Sequence, residues 1–510
     1  MESGFYFHLD RKADYARPPF HPPQNFPEFK GLFNEFDEQN RVYAMVRDLL
    51  IAARYDAEHI GTDKWNPFRG LIRNGELVVI KPNLAMEERG NKIGSHCIAT
   101  NASLVRPILD YLFLLQATDG IQFRTVIGDV PIQIAVFEEL VTQTGYLSVI
   151  DYFQKKHPFD LQLLDLRPEV ALFDNHFITA RVKQDGDPLG YTAVHLRQSY
   201  LDEIIKDYRK FSAIDYDGEQ TTGQHAQKGY HYYSIANTVL NCDLFINLSK
   251  IKTHQKAGVT LALKNLVGVN GDKSWIPHYR MGAISMGGDE FSQEYLLLKY
   301  VYTVVRRFLQ ERSRLLWNIG KWGHKHLVLP LVHWSANKRQ KSKQQPANNR
   351  GGTSNPFITD GAWYGNDTLW RPILDLNNLL LFSDKSGTMR SGPPRRCLCF
   401  GDGIIAGEGD GPLNATPKNT GLVTLSENPV VHDICCARLM GFDWQKIPQL
   451  RHSITLDDGR LFDGDPNKLS IIGLNESGGV RHFKYEQMPN LGFRSAPGWS
   501  GHIELNTDVS

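Results

Sequence analysis

The chain has only six cysteines in 510 residues, at positions 97, 242, 397, 399, 435 and 436, and no two are spaced C-x-x-C. That excludes the usual zinc and iron–sulfur spacings, so no iron–sulfur cluster is expected. Cys397 and Cys399 alternate along an apolar run and read as core thiols, and the adjacent Cys435 and Cys436 read as helix packing. No apolar run is long enough to cross a bilayer. The opening Met1-Glu-Ser-Gly-Phe-Tyr-Phe-His lacks the basic and apolar regions of a secretory signal, so a cytoplasmic location is expected. Net charge is almost absent, with 57 Lys and Arg against 56 Asp and Glu. No groove-reading motif accompanies it, and nucleic acid is not expected as a partner. Hydrophobic residues at 41% and charged residues at 22% are ordinary for a globular chain. The length suits about three domain-sized units, or two with insertions.

Charge of each sign is instead concentrated locally. Gly401-Asp-Gly-Ile-Ile-Ala-Gly-Glu-Gly-Asp-Gly-Pro412 holds five glycines and three carboxylates directly after the apolar Cys397-Leu-Cys-Phe400. Glycine permits left-handed backbone and close approach to a ligand. Carboxylates grouped on such a loop suit Mg²⁺ or Mn²⁺, which prefer oxygen ligands. The expectation is a strand ending in a loop, with Asp402, Glu408 and Asp410 as ligands of a divalent cation.

The cationic counterpart is Asp243-Leu-Phe-Ile-Asn-Leu-Ser-Lys250-Ile-Lys252-Thr-His254-Gln-Lys256, followed by Lys264-Asn265-Leu-Val-Gly268. Lys250, Lys252 and His254 are two apart and share one face of an extended chain. The apolar lead-in Leu244-Phe-Ile246 argues for a central strand over a lysine-guarded edge. These residues, with Lys264 and Asn265, form an expected anion site. His254 and Lys252 are the catalytic candidates, since neighbouring lysines keep the imidazole neutral near pH 7.

Upstream, Glu76-Leu-Val-Val-Ile80 ends in Lys81-Pro-Asn83, and Arg124-Thr-Val-Ile-Gly128 ends in Asp129. Apolar residues at 104, 105, 108, 109, 112 and 115 give the intervening segment a helical stripe, completing a βαβ unit. Lys81, Asn83 and Asp129 then sit at the carboxyl ends of strands, where ligands of open α/β sheets collect. Asp367 or Thr368 is placed to cap a later helix, with Asn366 and Arg371 as further substrate contacts.

The ordered set Lys81-Pro-Asn83, Lys250-x-Lys252-x-His254, Lys264-Asn265-x-x-Gly268 and Asp402-Gly-Ile-x-x-Gly-Glu-Gly-x-Gly-Pro412 resembles the domain-of-unknown-function family numbered 362, over roughly residues 75 to 450. The stretch around Tyr364–Asn377 is similar to its longer members. The ferredoxin-like cysteine segment of some members is absent. The resemblance implies an α/β fold and no settled reaction. The first βαβ unit is also similar in layout to the nickel-pincer lactate racemases, whose catalytic histidine pattern is not evident here.

The resulting architecture is α/β, with two Rossmann-like lobes of mixed or parallel sheet around a central cleft, plus a helical basic insertion. Residues 1–70 form an arm and a helix, 71–185 the first lobe, and 186–290 the first part of the second lobe. Residues 291–350 are a basic amphipathic helical insertion and linker, rich in Lys and Arg with Trp317, Trp322 and Trp334. Residues 351–450 complete the second lobe and 451–510 are an extension. The expected function is a metal-assisted enzyme acting on a phosphorylated or carboxylate-bearing small molecule. One alternative is a non-catalytic anion-binding or scaffold protein of a membrane-associated biosynthetic complex, peripheral at the membrane. Another is a racemase- or epimerase-like enzyme. Contact through 291–340 with a membrane surface, or with a second copy, belongs to the same reading.

Overall fold

The computed structural model describes residues 4–174, 177–206, 208–213, 223–292, 301, 319, 360–455 and 460–505. The basic insertion and its linker lie almost wholly outside the described residues. Among those described, no helix is long and apolar enough to cross a membrane.

Sixteen strands are described: β1 (Phe5–Leu9), β2 (Leu77–Pro82), β3 (Arg124–Asp129), β4 (Leu161–Asp165), β5 (Glu169–Asp174), β6 (Phe177–Lys183), β7 (Tyr191–Leu196), β8 (Phe211–Ser212), β9 (His231–Ala236), β10 (Leu244–His254), β11 (Gly258–Thr260), β12 (Tyr279–Arg280), β13 (Arg396–Glu408), β14 (Thr416–Ser426), β15 (Ile471–Asn475) and β16 (Val480–Phe483). Ten of them make one mixed sheet in the order β16-β15-β1-β14-β13-β10-β2-β3-β4, with β11 folded back on β10. From β13 through β10, β2 and β3 to β4 every pairing is parallel. The strands expected in two lobes are thus hydrogen-bonded side by side, because β10 pairs β2 along Leu244–Leu248 as well as β13. Three two-stranded ribbons, β5–β6, β7–β9 and β8–β12, stand apart from it.

Alternation along the central strands sends side chains to two buried faces. Val78, Ile80, Leu244, Ile246 and Leu248 pack with the helices Arg41–Ala52, Val105–Asp119 and Tyr146–Lys156. Val79 and Phe245 join the opposite layer, where the helix Trp370–Phe382 packs. The helix Pro429–Met440 covers that side further along, with Cys435 and Cys436 both buried. The expected helix between β2 and β3 is present, and those strands are parallel.

Two local readings are corrected. The segment after Phe400 is not a loop, since β13 continues through Glu408. Its glycines serve strand packing: a Cβ at Gly401 would lie 2.3 Å from Thr424 Oγ1, and one at Gly407 would lie 2.9 Å from Lys252 Cβ. Gly409, beyond the strand, has left-handed backbone at φ +76°. The N-terminal arm also contributes a strand, β1, which lies between β14 and β15.

Candidate active site

Chain direction fixes where the site falls. From β2 the chain moves to β3 and β4 on one side, then returns to β10 and β13 on the other. Strand order therefore reverses between β2 and β10, the position at which open parallel sheets leave a crevice at their carboxyl ends. A cavity of about 180 Å³ opens there, lined by Lys81 near the end of β2 and Asn83 just after it, Asp129 at the end of β3, Lys252 and His254 at the end of β10, and Lys256 beyond it. Thr260, Lys264, Asn265, Lys273 and His278 close it.

Its floor is a buried polar knot. Lys81 Nζ lies 2.7 Å from Asp129 Oδ1 and donates to Asn265 Oδ1 at 3.0 Å. Asn265 Oδ1 also accepts from Asn83 Nδ2 at 3.0 Å, and its amide nitrogen donates to Asn247 Oδ1 at 2.7 Å. Asp129 further accepts the backbone N–H groups of Leu84 and Val130. Gly268 fits here because a Cβ would lie 2.2 Å from Asp129 Oδ1 and 2.5 Å from Lys81 Nζ. The spacing of Lys264-Asn265 to Gly268 is thus explained by contact.

The wall is cationic. Lys252 is fully buried and donates to the carbonyl of Ile98. Burial, then Lys264 and Lys250, lower its ammonium pKa to about 7. His254 and His278 hold opposite tautomers. His254 Nδ1 accepts the backbone N–H groups of Lys256 and Ala257 at 3.0 and 3.2 Å, which leaves the ring proton on Nε2. His278 Nδ1 donates to the carbonyl of Ile276 at 2.8 Å, which leaves Nε2 as an acceptor. Burial and then Lys264 lower both, His278 to about 3 and His254 well below the ordinary histidine range. The ring able to take a proton on Nε2 is therefore His278, and the expected base, His254, is arranged as a donor.

Not all predicted site residues meet. Lys250 stands apart from the cavity lining, where a register shift against β13 separates it from Lys252. It is fully buried 2.9 Å from Asp402. Asp402 also accepts from the Tyr15 hydroxyl at 2.6 Å and the Asn101 N–H at 3.0 Å. Glu408 binds Arg494 at 2.8 Å and Lys418 at 3.1 Å, and Asp410 accepts from Asn414. The three carboxylates go to three separate sets of protein donors. Among the described residues, no group of three or more His, Cys, Asp or Glu is placed to hold a metal ion. A divalent cation therefore does not fit the expected triad. Asn366 accepts the N–H groups of Thr368 and Leu369 and donates to the carbonyl of His278, so it supports the site from behind. Arg371 pairs with Asp367 and Glu203 outside the cavity.

Lys256, Lys273, Thr260 and His278 line the cavity although they were not among the expected site residues. Lys256 extends the alternation of Lys250, Lys252 and His254 by one step, a signal that was present. The Asp433 carboxylate accepts the N–H groups of Ala262 and Leu263, both at 2.8 Å. It thereby fixes the turn that presents Lys264 and Asn265. Asp433→Ala is expected to cost about 1–3 kcal/mol by stranding two buried donors, measured by urea unfolding.

Residues 190–438 match the family model described as Domain of unknown function (DUF362). Over that span the chain resembles the DUF362 family. The DUF362 segment supplies Lys252, His254, Lys264, Asn265 and His278, while Lys81, Asn83 and Asp129 come from strands before it. No curated protein matches the chain. A crystal structure of a protein from Thermotoga maritima aligns at 10% identity over 46% of this chain and 45% of that one, with a TM-score of 0.21. A score that low carries no argument about fold or function.

Proposed function

We propose that the chain is an enzyme acting on a small molecule that carries a carboxylate or phosphate, with proton transfer at the substrate as its chemistry. The observation that carries this reading is the cavity itself. Lys252, Lys256, Lys264 and Lys273 line it with two histidines of opposite tautomer. Among the described lining residues the one carboxylate, Asp129, is ion-paired with Lys81. Such a field favours a bound anion and stabilises negative charge that develops during reaction. His254 Nε2–H supplies a neutral hydrogen-bond donor and His278 Nε2 an acceptor, whose basicity rises once a bound anion offsets Lys264 and Lys256. No metal step enters, because Asp402, Glu408 and Asp410 are engaged elsewhere. The scaffold alternative drew on residues 291–350, nearly all outside the described residues.

The reading is tested by thermal unfolding with inorganic phosphate and small carboxylates. An anion at a hundred times its Kd should stabilise the fold by about 2.7 kcal/mol. Lys264→Met should abolish most of that gain, and an unchanged gain in the variant, or none in the wild type, would sink the reading. Binding should also fall as pH rises. The free pocket's Lys252 loses its proton near pH 7, and an anion favours the protonated form. Above pH 7 binding must take up a proton, so affinity should drop by up to about tenfold per pH unit. Calorimetry in two buffers of different ionisation heat would detect that uptake.

A further inference from the structure

The lysines at the site are not equivalent. Lys81 has Asp129 as its counterion and Lys250 has Asp402. Lys252, equally buried, makes no ion pair among the described residues, and its amine donates to the uncharged carbonyl of Ile98. Of the charged groups that act on it, Lys264 and Lys250 disfavour its protonated form more than Cys97 and Asp129 favour it. A desolvated amine beside other cations is held partly neutral, and the neutral amine is the nucleophile. The same cavity holds His278, whose Nε2 is an acceptor, and a set of lysines for an anionic group.

We propose that Lys252 is a nucleophile that forms an imine with an aldehyde or ketone bearing a carboxylate or phosphate. This rests on the anion-pocket reading and names its substrate class. Lys252 Nζ forms a bond to the carbonyl carbon as the C=O π pair moves to oxygen. The carbinolamine then loses that oxygen as water, which carries one proton from the amine and one from solvent. A protonated imine remains on Nζ. It acidifies the adjacent C–H, whose proton passes to His278 Nε2 while the electron pair enters the C–C bond of an enamine. No oxidant, reductant or metal is required. Lys256, Lys264, Lys273 and His254 Nε2–H hold the anionic end.

The full chain is incubated with pyruvate or with dihydroxyacetone phosphate, reduced with borohydride, digested and mapped by mass spectrometry. The expected result is a reduced adduct on the peptide containing Lys252, suppressed by excess inorganic phosphate. Lys252→Arg should lose that adduct while phosphate still raises its Tm. Should Lys252→Arg fail to fold, the mapped position and its phosphate protection in the wild type decide the matter. Stabilisation by phosphate with no adduct at Lys252 from either carbonyl compound overturns the imine and spares the pocket. Adducts spread over other lysines and insensitive to phosphate overturn it equally. Failure of both phosphate and small carboxylates to stabilise the wild type removes the pocket reading itself.

Discussion

Asp402→Ala is expected to lower stability by about 3–5 kcal/mol, the cost of leaving one partner of a buried ion pair uncompensated. The variant strands the Lys250 ammonium, fully buried 2.9 Å away, together with the Tyr15 hydroxyl and the Asn101 N–H. Burial, then the Asp402 carboxylate, push the Tyr15 hydroxyl well above its ordinary pKa, so it remains a donor throughout the accessible range. Urea unfolding in the presence of a chelator checks the prediction. Asp402→Leu combined with Lys250→Met and Tyr15→Phe should recover most of the loss, since apolar groups of similar volume replace buried ion pairs with little penalty. A carboxylate reserved for a divalent cation would behave differently. Its removal would leave the chelated protein as stable as before and erase only a metal-induced rise in Tm.

Gly268→Ala should also be costly, although it adds one methyl group. That carbon would sit 2.2 Å from Asp129 Oδ1 and 2.5 Å from Lys81 Nζ. Backbone conformation is not the obstacle, because Gly268 is not among the residues with positive φ. Overpacking alone costs about 1–3 kcal/mol, and separating the Lys81–Asp129 pair adds to it. Lys81 and Asn83 both meet Asn265, so the anion-induced rise in Tm should shrink as well. Lys81→Ala removes one of the two groups the methyl would meet and releases Asp129 from its ion pair. In that background Gly268→Ala should cost less, and a double-mutant cycle should show coupling of about 0.5–3 kcal/mol. Strict additivity would refute the contact.

The sheet's parallel centre was legible in the sequence because strands buried on both faces leave continuous apolar runs. Glu76–Ile80, Arg124–Gly128 and Leu244–Ile246 stand in β2, β3 and β10 or directly beside them, and the residues that follow each run line the cavity. Gly401–Gly411 misled because dense glycine signals turns and tight contacts alike. In β13 the contacts come from Thr424 and Leu422 on the neighbouring β14 and from Ile251 and Lys252 on β10, which local sequence does not display. Carboxylates misled for a related reason: residue type shows what Asp402 is able to bind, but its partner Tyr15 is 387 positions away. The role of His278 is not legible in the sequence, because its tautomer depends on one carbonyl, that of Ile276, placed only by folding.

The placement of β1 sets a timetable for biosynthesis. Phe5–Leu9 is synthesised long before its hydrogen-bonding neighbours, Thr416–Ser426 and Ile471–Asn475. At about 5–20 residues per second, it waits on the order of tens of seconds before either neighbour exists. Through that interval a strand carrying Phe5, Tyr6 and Phe7 has no native edge to join, although the strands of β10-β2-β3-β4 are all made before β14 begins. Before β14 is made, the nascent chain thus holds the strands β10, β2, β3 and β4 beside an open apolar flank, the state in which a chaperone would have most to cover.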